Sequence, residues 1–287
     1  MTFRTRLFIS LQYIVPQHLL SRCVAWFAET RIPFIKDFFI ETFAKKYQVD
    51  MQIAEEENLR AYPNFNAFFT RALKSDVRPI DKTENGIACP ADGAISQIGH
   101  IEKGRIFQAK GQSFSVEELL GGPEHTNPTF DDGKFATVYL SPKDYHRVHM
   151  PYAGQLDKMV YVPGDLFSVN TTTAENVPRL FARNERLVCF FSGEQGPFVL
   201  VLVGAMIVAG IETVWDGHIA PQKKQISAFD YRKPRNISLS KGEEMGRFKL
   251  GSTAILLFPD SVCWHDNLNA GSPVLMGQAM GAYQQPS

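Results

Sequence analysis

Apolar residues keep two different rhythms along this chain. Up to about residue 75 they recur every three or four positions. Leu20, Val24 and Phe27 make one stripe, and Ile35, Phe38, Phe39 and Phe43 make another, the spacing of helices with one apolar face. This stretch contains no glycine, and Pro16 and Pro33 stand where first-turn prolines belong. From about Ile87 the pattern shortens into β segments between glycines and prolines, such as Phe135–Leu140, Arg186–Phe191 and Ala254–Phe258. Val199–Val203 and then Met206–Val208 predict two buried strands around a turn at Gly204, while Ser115–Leu120 predicts a short capped helix.

Many closely spaced strands argue for a sandwich or barrel. The expected fold is α+β, with amphipathic N-terminal helices on a mainly antiparallel β-sandwich or barrel-sandwich hybrid-like core. Residues 1–75 form the helical region and 76–287 the β-rich domain. A faint echo supports a duplicated hairpin unit: Pro90-Ala91-Asp92-Gly93-Ala94-Ile95 resembles Pro151-Tyr152-Ala153-Gly154-Gln155-Leu156.

Composition narrows the function. Thirty basic and thirty acidic side chains leave the chain formally neutral, so no global attraction to nucleic acid is expected. Cys23, Cys89, Cys189 and Cys263 are isolated and read as reduced thiols facing a cytosol. The longest apolar run, Pro197–Ile211, is broken by Gly204 and Gly210 and falls short of the about 20 residues that a bilayer core requires. The N-terminus does not read as a secretory signal. Charge is uneven, however: up to Tyr47 seven basic residues face three acidic ones, a local net of +4. Basic helices with large aromatic faces suit an anionic membrane interface. Packing against the main domain or a second subunit is the alternative.

The chemistry concentrates at Leu250-Gly251-Ser252-Thr253. A glycine carbonyl has no side chain beside it, so a hydroxyl can approach closely. Attack by Ser252 on the Gly251 carbonyl turns the amide into an ester. Elimination across Cα–Cβ then frees a dehydroalanine N-terminus, which hydrolyses to a pyruvoyl group. A solvated serine in a turn is the ordinary alternative. The attack needs a base, and Tyr145-His146-Arg147-Val148-His149-Met150-Pro151 offers two imidazoles. Asp92 is a candidate to orient one of them, although Asp-Gly also simply makes turns. Asp92, His146 and His149, with His218, also form a candidate zinc set for a hydrolase. A non-enzymatic barrel-sandwich carrier lacks the lysine turn it would need.

Together these blocks resemble the bacterial membrane-associated phosphatidylserine decarboxylases. The likeness runs through Asn66–Lys74, Arg78-Pro79-Ile80, Pro90–Gly93, Tyr145–Pro151, Gly164–Asn170 and Leu250–Thr253. It implies self-cleavage at Gly251-Ser252 into a large chain (1–251) and a small chain (252–287). Ser252 then becomes a covalent pyruvoyl group, the cofactor, and Asp92, His149 and Ser252 form the self-cleavage triad. His146 maps to the decarboxylation step as proton donor. The implied reaction converts phosphatidylserine to phosphatidylethanolamine through an imine with the pyruvoyl ketone, an electron-sink role. The implied partners are the lipid, an anionic membrane surface and the sister chain, in a heterodimer that can dimerise further. The implied place is the cytoplasmic face of a bacterial inner membrane, and no metal is called for.

Overall fold

The computed structural model describes residues 2–206, 210–220, 225–232, 235–249 and 252–284; at Ala220 and Ser252 it describes the backbone. Three helices open the chain: α1 (Phe3–Ile14), α2 (Gln17–Ala28) and α3 (Pro33–Tyr47). A short α4 (Phe65–Phe69) follows. Pro16 is the N-cap of α2 and Pro33 the first residue of α3, where a missing N–H costs nothing.

The first three helices bury few side chains, most of them small or polar, and expose many of the large apolar ones. Ile9, Gln12, Ser21, Ala28, Lys36, Ile40 and Ala44 face inward. Phe3, Ile14, Trp26 and Phe34 are each more than 70% exposed. Hydrogen bonds dock the polar side: Gln12 accepts from the Ser168 N–H, and Gln17 from the Leu166 N–H. Of the two apolar stripes, Phe27, Phe38 and Phe39 point outward, and Phe43 packs against α4.

Among the described residues the centre of the molecule is a nine-stranded antiparallel sheet. Its middle runs Arg186–Gly193, Gly196–Val203, Ser252–Phe258, Lys134–Leu140, Gly93–His100. Both faces are covered, so these strands read as unbroken apolar runs. Val199, Val201, Ile255 and Leu257 face a core capped by the helix Val116–Leu120. That helix carries the expected capping box, Ser115 with Glu118. Leu200, Leu202, Leu256 and Phe258 face the other core, shared with Val148, Ile211 and Phe248 of a second sheet. The second sheet orders Gly217–Ala220, Gly210–Thr213, Glu244–Lys249 and Arg147–His149. The fold is therefore α+β with a sandwiched antiparallel core. Of the strand expected at Met206–Val208, residues 207 and 208 lie outside the described residues.

The two echoing segments sit against each other. Ala88 N–H donates to the Pro151 carbonyl at 2.9 Å, and His149 N–H to the Pro90 carbonyl at 2.8 Å. This crossing brings the Asp92 turn beside the backbone of His149.

Candidate active site

Two strands in different sheets lead to the Gly251–Ser252 bond. Gly251 and the Ser252 side chain lie outside the described residues. Both arms are nevertheless tied to one segment, 140–149. Ser252 registers with Leu140 in the large sheet. In the second sheet Phe248 donates its N–H to the His146 carbonyl at 3.0 Å, and Gly246 registers with Val148. The segment with both histidines thus joins the two sheets beside the bond.

His146 is fully buried. The Phe69 ring stacks on it with centroids 4.0 Å apart. Its Nε2 lies 3.0 Å from the Ser141 carbonyl, so Nε2 carries the proton and donates it. Its Nδ1 is buried without a hydrogen-bond partner. Burial, and then the nearby Arg71 cation, push its pKa down to about 3. The ring is neutral, with an open lone pair.

His149 is also buried and neutral. Burial lowers its pKa, against the opposing hydrogen bond to the Gly242 carbonyl and the charge of Glu244. Nδ1 donates to Gly242 at 2.8 Å, which leaves Nε2 as an acceptor for the Tyr145 hydroxyl at 2.9 Å. That tautomer presents a lone pair at Nε2, as a general base must.

Asp92 has separate partners. Arg78 grips it from Nε at 2.9 Å and Nη2 at 2.6 Å, and the Met276 N–H donates to Oδ1 at 2.8 Å. No hydrogen bond joins Asp92 to His149 among the described residues. The fold brings the two into one neighbourhood, and Gly242 and Tyr145 orient the imidazole. Tyr145, Arg78 and Phe69 were visible in the sequence as letters of its motifs, yet nothing in spacing assigns them these contacts. No group of three or more His, Cys, Asp or Glu side chains among the described residues is arranged to hold a metal ion. Both nitrogens of His149 are engaged in any case.

Two buried, neutral imidazoles lie on the segment that runs on from the partner strand of Ser252, an arrangement chemically able to accept and donate protons. The phosphatidylserine decarboxylase family profile matches residues 65–282, and a second profile, described as PSD, matches residues 7–48. The chain is 61% identical to the phosphatidylserine decarboxylase proenzyme of Ectopseudomonas mendocina over 284 residues, covering 98% of this chain and 99% of that one. It is 60% identical to that of Pseudomonas putida KT2440, covering 98% and 99%. Against that of Pseudomonas aeruginosa LESB58 it is 59% identical, covering 99% and 100%. The chain belongs to the phosphatidylserine decarboxylase family.

Proposed function

We propose that this chain is a proenzyme that cuts itself at Gly251-Ser252 and then decarboxylates phosphatidylserine to phosphatidylethanolamine. The observation that carries this reading is the tie between both arms of the bond and the segment bearing His146 and His149. The full-length similarity to proenzymes supports it.

His149 Nε2 takes the Ser252 hydroxyl proton once the Tyr145 hydroxyl moves off it. The Gly242 carbonyl holds the tautomer through that exchange. Asp92, fixed by Arg78, supplies a negative charge beside the ring and favours the imidazolium that forms. The products are a large chain, 1–251, and a small chain of 36 residues, 252–287.

A pyruvoyl group made from Ser252 fits this place. His146 Nδ1 is buried without a hydrogen-bond partner, so an acceptor is open on the segment that runs on from Leu140, the register partner of Ser252. The group supplies an electron sink for the charge left when carbon dioxide departs. His146, neutral and unpartnered at Nδ1, would take up from water the one proton that decarboxylation consumes and deliver it to the substrate's Cα. Phe69 and the Ser141 carbonyl hold its ring in place while it does so.

Residues 1–75 dock the enzyme on the membrane and residues 76–287 carry the catalysis. No helix among the described residues is long and apolar enough to cross a membrane. The outward faces of α1–α3 support attachment to an anionic surface instead, on the cytoplasmic side of a bacterial inner membrane. The test is an intact-mass spectrum of freshly purified protein. A blocked fragment of about 4 kDa beginning at residue 252 is expected, the small chain's share of 32.3 kDa. A persistent single species at 32.3 kDa would overturn the reading.

A further inference from the structure

Four cations of the motif segments 66–80 and 145–151 are candidates for holding an anionic headgroup: Arg71, Lys74, Arg78 and Arg147. Three already have carboxylate partners. Lys74 pairs with Glu57 at 2.6 Å, Arg78 with Asp92 at 2.6 Å and Arg147 with Glu244 at 2.8 Å. Arg71 has none within ion-pair distance among the described residues. It is 3% exposed, and its Nη2 donates to the carbonyls of Lys143 and Asp144 at 3.0 and 3.5 Å. Its guanidinium lies over the Phe68 ring, and its Nε is buried with no hydrogen-bond partner.

A buried charge without a counter-charge is costly. Arg186, the other deeply buried arginine that donates only to carbonyls, uses Nε, Nη1 and Nη2. Arg71 keeps a donor open. It also holds the loop to which His146 is bonded, through Lys143 where His146 uses Ser141. An open guanidinium edge suits an anion with two oxygens.

The lipid offers two such anions, its phosphodiester and its serine carboxylate. A cation clamped on the carboxylate would stabilise the substrate more than the transition state, because that charge leaves the carboxylate as carbon dioxide forms. The phosphodiester keeps its charge throughout. We propose that Arg71 binds the phosphodiester of the phospholipid headgroup, a proposal that rests on the phosphatidylserine reading above.

The experiment uses the processed wild type, Arg71→Met and Arg71→Lys, with dispersed short-chain phosphatidylserine as substrate. Arg71→Met is expected to self-cleave normally and keep much of its kcat, while KM rises about tenfold or more. Arg71→Lys, which keeps the charge but loses the fork, is expected to fall between. With the wild type, glycerophosphoethanolamine (a phosphodiester without the carboxylate) should compete with substrate, and free serine should not. That competition should be lost in Arg71→Met and weakened in Arg71→Lys. An unchanged KM in a processed variant overturns the proposal, and so does competition by free serine alone. If Arg71→Met does not process, Arg71→Lys and the wild-type competition decide by the same criteria. A wild type that turns over no phosphatidylserine would instead sink the functional reading itself.

Discussion

His146 and His149 sit three positions apart and have opposite tautomers. One carbonyl sets each: Ser141 takes the Nε2 proton of His146, and Gly242 takes the Nδ1 proton of His149. The lone pair is therefore at Nδ1 on His146, where it has no partner, and at Nε2 on His149, where it meets the Tyr145 hydroxyl. Burial has a second consequence for His146. Its pKa is lowered to about 3 in the folded chain, against 6.5 for the free group. Between those values the unfolded chain binds a proton that the folded chain refuses, so stability is full above pH 6.5 and falls on acidification. For one such group the loss is roughly 1 kcal/mol per pH unit. Replacing His146 with Asn should therefore flatten the fall of Tm between pH 6.5 and 4.5, leaving the contributions of His125, His149 and His218, whose pKa values burial also lowers. The same variant should still self-cleave and should lose most of its turnover. An unchanged Tm slope would show that the buried ring titrates normally.

The N-terminal helices reverse the usual arrangement of a surface helix. Their spacing was legible in the sequence, because residues three and four apart share a face. Which face turns inward was not, because that depends on what the partner surface offers. Here it offers backbone groups of 164–168, and Gln12, Gln17 and His18 meet them. Phe3, Trp26 and Phe34, at 80%, 71% and 84% exposure, are left outside together with the arginines of α1 and α2. Exposed apolar patches of this kind mark docking surfaces. Replacing Trp26 and Phe34 by Ser should leave Tm and self-cleavage unchanged and weaken sedimentation with anionic liposomes by about a hundredfold or more, since each large apolar side chain contributes about 1.5–3 kcal/mol when buried. Unchanged liposome binding would assign the helices to a protein partner.

The segment 252–287, the small chain of the proposed cleavage, supplies the middle of the molecule. Its first strand, Ser252–Phe258, pairs with Lys134–Leu140 on one side and Gly196–Val203 on the other. Its last, Ala279–Tyr283, pairs with Gly86–Ala88 and Val262–Trp264. Ile255, Leu256, Leu257 and Phe258 are all fully buried, and each contributes about 1.5–3 kcal/mol of burial. The two chains should therefore migrate as one species in native gel filtration after cleavage, and separate only in denaturant. Elution of the small chain alone under native conditions would refute this placement.

Local information in the chain was enough for the strands expected at 135–140, 186–191 and 254–258, which the fold extends by one or two residues to 134–140, 186–193 and 252–258. Periodicity and side-chain chemistry are local properties, so they survive without coordinates. Protonation states, the partners of Asp92 and the open edge of Arg71 were settled only by folding. Each depends on groups far apart in sequence: Arg78 with Asp92, His149 with Gly242, Arg71 with Lys143. Burial and hydrogen bonding at those distances are properties of the packed molecule, and no spacing along the chain encodes them.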